Sequence, residues 1–245
     1  LETGLLCCLG QRHPLPATWR GGWTLLAGDT GAQLDDAPWH AGYDRPLPIA
    51  SDSATVARLA ERLAATMRTA DVELTAVRSR AIFPRRFNQL CTQFGGKGAV
   101  LTDQTVGLLA ELVEPLDEPC HAVCDKHGGR NRYAGALQHH FPERRMQVEC
   151  EGRASSRYRL ARGERALSVN FRTGGEQFLP AALASMASKY LRELAMLAFN
   201  EYWLAAVPEL RPTAGYPLDA VRFRREIAAV QQGRGIADEC LWRVR

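Results

Sequence analysis

Residues 146–151, 157–161 and 167–171 each read as a short strand, and glycines mark the gaps at Gly152 and Gly163, with Gly174-Gly175 after the last. No other feature constrains the fold as tightly. Strand side chains alternate between two faces, and turn residues at this spacing join neighbouring strands antiparallel. The expected product is an antiparallel meander of three strands decorated with arginine.

The flanking sequence supplies helices and further strand signals. Residues 120–124 have the composition of a buried strand, and residues 72–79 alternate as a half-buried strand should. Ser51 or Asp52 can cap a helix over residues 54–68, with Val56, Leu59, Leu63 and Met67 as its apolar stripe. Further helices are expected over residues 86–94, stopped by Gly95-Gly96, over 103–113 with Thr102 or Asp103 near the cap, and over 131–140, ended by Phe141-Pro142. Pro180 suits the first turn of a long helix running to about residue 207. Pro208, Pro212 and Gly215-Tyr216-Pro217 form a linker to a last helix over 218–232, with a terminal strand at 240–244. Residues 1–50 read as an irregular Gly, Pro and Trp-rich segment in which Trp19, Trp23 and Trp39 act as packing anchors. Strands alternating with helices, plus a meander, indicate an α/β fold with α+β elements, with residues 51–245 as one domain and residues 1–50 packed on it.

Composition excludes some functions. The apolar and charged fractions are those of a globular protein, and no apolar stretch approaches the ~20 residues that span a bilayer. Seven scattered cysteines, an odd number, are a poor disulfide framework, so reduced thiols and a cytoplasmic location are expected. Cys120, Cys124 and His127 match no common zinc spacing. Net charge is only +4, yet residues 125–172 hold eleven Lys or Arg against five acids, an excess of +6. A local basic surface of this kind suits a polyanionic partner, or it is a solvated strand face. Gly95-Gly96-Lys97-Gly98 is too short for a nucleotide loop and lacks its Ser/Thr.

The residues with most chemical content are Ala184-Ser185-Met186-Ala187-Ser188-Lys189-Tyr190-Leu191-Arg192-Glu193, followed by Gly215-Tyr216-Pro217. Lys189 and Glu193 share a helix face with Ser185, while Leu183, Met186, Tyr190, Leu194 and Leu197 form an apolar stripe. Such a carboxylate can hold a divalent metal near a phosphate, or simply pair with Lys189. The Ala-Ser-x-x-Ala/Ser-Lys-x-x-Arg-acid pattern with its later Gly-Tyr-Pro resembles the late helix of the type 2 ribonucleases H, the ribonuclease HII and HIII group. Residues 119–125, an apolar run ending in Asp125, are similar to that family's fourth strand, and Phe87-Asn88-Gln89-Leu90 to the start of the preceding helix. The resemblance covers roughly residues 70 to 225.

It implies a ribonuclease H-like mixed sheet flanked by helices, with the meander as an addition, and a two-metal nuclease cutting RNA in RNA–DNA hybrids. Asp125 and Glu193 would be metal ligands for Mg²⁺ or Mn²⁺, close in space. Lys126, Arg130, Arg132, Lys189, Arg192 and Tyr216 would contact substrate, with Arg157 adding to backbone binding and His127 offered for proton transfer. The partner would be nucleic acid, not a membrane. Three departures stand out. Asp125 is followed by Lys126-His127-Gly128-Gly129 rather than the family's Asp-Gly continuation, and Glu193 replaces the usual Asp, which makes a divergent bacterial branch the expectation. The family's first strand, with its Asp-Glu-Ala-Gly-type motif, has no counterpart; its nearest imitation is Leu25-Leu26-Ala27-Gly28-Asp29-Thr30-Gly31, which a turn explains equally well. Since the chain opens at Leu1 without methionine, the expectation is a fragment that lacks the N-terminal part of the fold. A nucleic-acid-binding domain that has lost catalysis is the alternative.

Overall fold

The structure, a computed structural model, describes residues 1–28 and 31–244. In chain order its elements are α1 (Glu2–Leu9), α2 (Trp19–Ala27), α3 (Gly31–Asp35), α4 (Ser53–Thr69), α5 (Pro84–Phe94) and α6 (Lys97–Val113). Then come β1 (Cys120–Asp125), α7 (Ala134–His140), β2 (Arg145–Glu151), β3 (Ser155–Arg162), β4 (Arg165–Arg172), α8 (Leu179–Ala206), α9 (Pro217–Gly233) and α10 (Asp238–Leu241). The fold is α/β, with a mixed sheet flanked by helices. Chain contacts divide it into two compact units, Leu1–Arg86 with Met186–Arg245 and Phe87–Ser185.

The first unit is helical. Asp52 caps α4 by accepting from the Thr55 N–H at 2.8 Å. Against α4 lies α1, which buries Leu5, Leu6, Cys7 and Leu9; Gln11 Nε2 donates to the Ala60 carbonyl at 3.0 Å. Glu2 is buried too, its carboxylate accepting from the backbone N–H groups of Ile49 and Ala50 at 2.9 and 2.6 Å and from the Tyr190 hydroxyl at 2.8 Å. Residues 1–50 thus carry the short helices α1, α2 and α3 within an otherwise irregular segment. The glycines Gly21 and Gly22 sit inside α2, where a Cβ on Gly22 would meet Leu47 Cδ1 at 3.0 Å. Glycine here allows close approach instead of breaking the helix. Trp19, Trp23 and Trp39 are buried anchors as expected, and Trp19 Nε1 donates to the Leu194 carbonyl at 2.9 Å.

Two expected strands do not form. Residues 72–79 run without a ladder partner among the described residues, with Val72 57% exposed; alternation makes a strand only where a neighbour accepts its bonds. At the C-terminus α10 occupies Asp238–Leu241 in place of a strand, its Gln231 neighbour donating to Asp238 Oδ1 at 2.7 Å.

The second unit carries the four-stranded sheet, in the order β1-β4-β3-β2. The meander β2-β3-β4 is antiparallel, and β1 lies parallel to β4, with Asp125 opposite Arg172. Tyr158, Leu160, Leu167, Val169 and Phe171 point from one face into a core completed by Val106 and Val113 of α6 and Leu137 of α7. α6 begins at Lys97, earlier than expected, with Gly96 at φ 140° before it. Thr102 bonds back to the Gly98 carbonyl within the helix at 2.9 Å and caps nothing.

Candidate functional site

Asp125 closes β1 at the carboxyl end of a parallel strand pair, the edge at which open α/β sheets bind ligands. Cys124 beside it turns toward the core, so strand alternation puts Asp125 on the other face, with Asn170 and Arg172 of β4. The carboxylate is exposed, and Oδ1 accepts from the Gly175 N–H at 3.1 Å. Gly175 permits this approach, since a Cβ there would sit 3.2 Å from both the Asp125 nitrogen and Cα. Oδ2 has no protein partner among the described residues and is free for a ligand. On the same face the Asn170 Oδ1 and Arg172 Nε atoms are buried without hydrogen-bond partners. Neither residue was singled out from the sequence; the signal was their alternation with Val169 and Phe171 in a strand already recognised.

The loop after Asp125 is held by its own polar groups. The Lys126 ammonium donates to the Arg130 carbonyl at 3.1 Å, Asn131 Oδ1 at 2.9 Å, the Gly152 carbonyl at 2.6 Å and Ser156 Oγ at 3.2 Å. It joins the loop to the β2–β3 hairpin. The Tyr133 ring stacks on Phe171 at 3.7 Å, its hydroxyl accepts from the His127 N–H at 3.1 Å, and its own N–H donates to the Tyr158 hydroxyl at 2.9 Å. His127 Nδ1 lies 3.0 Å from Thr102 Oγ1. Because that hydroxyl donates to the Gly98 carbonyl, Nδ1–H is the donor toward Thr102, and Nε2 keeps its lone pair. Burial, with the Arg130 guanidinium adding to it, lowers the His127 pKa to about 4. The ring is neutral at pH 7. Burial likewise raises the Cys124 thiol to about 12, which keeps it protonated and unreactive at pH 7.

Arg130, Arg132 and Arg157 share the second unit with Asp125, whereas Lys189, Arg192, Glu193 and Tyr216 lie in the first. Glu193, Lys189 and Arg192 are exposed on α8, and no ion pair joins Lys189 to Glu193 among the described residues. Arg192 donates to the Ala214 carbonyl, and its guanidinium lies 4.9 Å from the Tyr216 ring centre. That bond ties the Gly215-Tyr216-Pro217 turn to α8, where Asn200 also exchanges bonds with Thr213 at 2.8 and 2.9 Å. Asp125 and Glu193 therefore belong to different units. Asp29 lies outside the described residues.

Much of the basic excess is answered by carboxylates. Arg132, Arg144, Arg157, Arg162 and Arg165 pair with Glu151, Glu114, Glu149, Glu143 and Asp117. Arg130, Arg145, Arg153 and Arg159 have no such pair among the described residues, and the last three are exposed. Among the described residues one group has metal-ligand proximity: Asp103 of α6 with His139 and His140 of α7. No described helix is long and apolar enough to cross a membrane. No model of a known protein family, no curated protein and no solved structure matches this chain.

Proposed function

We propose that this chain is a ribonuclease H-like, metal-dependent nuclease domain acting on the RNA strand of RNA–DNA hybrids, with Asp125 and Glu193 as ligands for Mg²⁺ or Mn²⁺. The observation that carries the reading is the Asp125 carboxylate, exposed at the carboxyl end of β1, with one oxygen fixed by Gly175 and the other free. A hard divalent cation takes oxygen ligands and keeps several waters, so this donor fits it. A pair of such ions, when bound, activates water and stabilises the leaving oxygen.

The chain's own groups supply the rest. Arg130 and Arg132 follow Asp125 closely and offer guanidinium donors to substrate phosphates. Exposed Arg153 and Arg159 extend the basic surface along the hairpin. His127, offered for proton transfer at the leaving oxygen, is neutral at pH 7, and its Nε2, without a protein partner among the described residues, holds no proton to give there. Lys126 positions the loop through its internal bonds.

A second reading, a nucleic-acid-binding domain without catalysis, is favoured by Glu at 193 in place of the Asp that the resemblance leads one to expect. Incubation of an RNA–DNA hybrid with Mg²⁺ and either the wild-type chain or Asp125→Asn separates the two. Cleavage by the first and not the second supports the nuclease. Salt-dependent binding without cleavage supports the binder, and its salt slope should flatten by about two contacts when Arg130 and Arg132 are both removed. Absence of binding at low salt refutes both.

A further inference from the structure

The second unit holds a separate cluster whose donors differ from those around Asp125. Asp103 lies on α6, and His139 and His140 are the last two residues of α7. One ligand atom from each falls within 4.8 Å of the others. His140 Nε2 is 2.8 Å from Asp103 Oδ1, and the two imidazoles meet edge to face with centres 4.9 Å apart. Gln104 Nε2 donates to Asp103 Oδ2 at 2.9 Å, which fixes the carboxylate and leaves Oδ1 turned to the histidines. Nothing proposed for the Asp125 site uses these residues.

The geometry points to a binding site for a transition-metal ion of the zinc class, held by Asp103 Oδ1 and the imidazoles of His139 and His140. Two nitrogens and one carboxylate suit Zn²⁺, Co²⁺ or Ni²⁺ and are a poor set for Mg²⁺ or Ca²⁺, which prefer oxygen. Tetrahedral ligands about 2.1 Å from zinc stand roughly 3.4 Å apart. The His140–Asp103 pair at 2.8 Å must therefore open by a fraction of an ångström, and the His139 ring must swing inward. His139 can do so, being exposed and without a hydrogen bond or ion pair among the described residues, whereas the His140 and Asp103 side chains are only 21% and 15% exposed. The three protein ligands leave a fourth position toward solvent for water.

Binding needs a lone pair on His140 Nε2, so a neutral ring coordinates as its Nδ1–H tautomer, the Nε2 proton being exchanged through solvent for one on Nδ1, and only a protonated ring releases a proton. The ion then replaces one hydrogen bond between α6 and α7 with coordination bonds from both helices. Since these helices complete the core on one face of the sheet, occupation stabilises the second unit.

Thermal melts and calorimetric titration of the full chain with Zn²⁺ and, separately, Mg²⁺ test this. Zn²⁺ should raise the melting temperature, and Mg²⁺ at equal concentration should not do so through these residues. His139→Ala should melt like the wild type without metal and bind Zn²⁺ at least about tenfold more weakly. Asp103→Asn should do the same if it folds, and the exposed His139 keeps the test decisive if it does not. The seven free cysteines are the competing ligands. Co²⁺ bound here should give a visible d–d spectrum without thiolate charge transfer. Unchanged Zn²⁺ affinity in His139→Ala, a thiolate band on Co²⁺, or no Zn²⁺ binding by the wild type would overturn the proposal.

Discussion

Replacing Lys126 by Met separates a structural lysine from one reserved for substrate. Methionine keeps the apolar stem and roughly the volume, and it removes only the ammonium. Four oxygen acceptors then lose a donor, those of Arg130, Asn131, Gly152 and Ser156. Two of them keep other partners, because the Arg130 carbonyl accepts from the Tyr133 hydroxyl at 3.2 Å and Ser156 Oγ donates to the Asn131 carbonyl at 2.5 Å. Asn131 is exposed and recovers water. The net loss is thus close to one charge-assisted hydrogen bond, at the Gly152 carbonyl, or about 2 kcal/mol. That corresponds to roughly a thirtyfold change in the local opening equilibrium. Native-state hydrogen exchange at the His127 and Tyr133 amides, which donate to the Tyr133 and Tyr158 hydroxyls, reads it directly. Protection should fall at both amides, and the denaturation midpoint of the second unit should fall with it. Unchanged protection together with weaker nucleic-acid binding would refute the reasoning and make Lys126 a phosphate contact.

Other predictions concern buried groups. His40 is 1% exposed amid Trp19, Trp23, Trp39 and Phe83, with both ring nitrogens lacking a bond of normal geometry, and burial lowers its pKa from 6.5 to about 4. The unfolded chain takes up that proton more readily, so His40's contribution is complete above pH 6.5 and is lost as pH falls toward 4, to the extent of about 3 kcal/mol. His40→Gln should shallow the acid limb of a stability–pH profile, and an identical limb would contradict the assignment. Gly175→Ala forces a Cβ to 3.2 Å from the Asp125 backbone, and should destabilise by about 1–3 kcal/mol in urea unfolding. A neutral result would show that the approach of Gly175 to Asp125 is not tight.

Local signals made much of the fold legible. The glycines after each strand fix the meander, Asp52 caps α4, and Pro180 sits in the first turn of α8. Features set by distant partners were not. Parallel pairing of β1 with β4 joins segments more than forty residues apart, from Cys120 opposite Leu167 to Asp125 opposite Arg172, and no local pattern encodes it. Residues 72–79 carry strand alternation with no neighbour to pair with among the described residues, and Gly21-Gly22 resembles a breaker until Leu47 fills the space above it. At the site, the end of β1 made Asp125 conspicuous. Lys126 reads as a surface cation because its acceptors come from both its own loop and the β2–β3 hairpin. The Asp103–His140 bond spans 37 residues and was equally hidden.

The central claim is that the Asp125 carboxylate holds a divalent ion. Mn²⁺ titration followed by electron paramagnetic resonance tests it most directly, in a His139→Ala, His140→Ala background that removes the other donor cluster. Mn²⁺ affinity should fall at least about tenfold in Asp125→Asn. Binding that Asp125→Asn leaves unchanged would show that this carboxylate holds no ion, and the nuclease reading would fail with it.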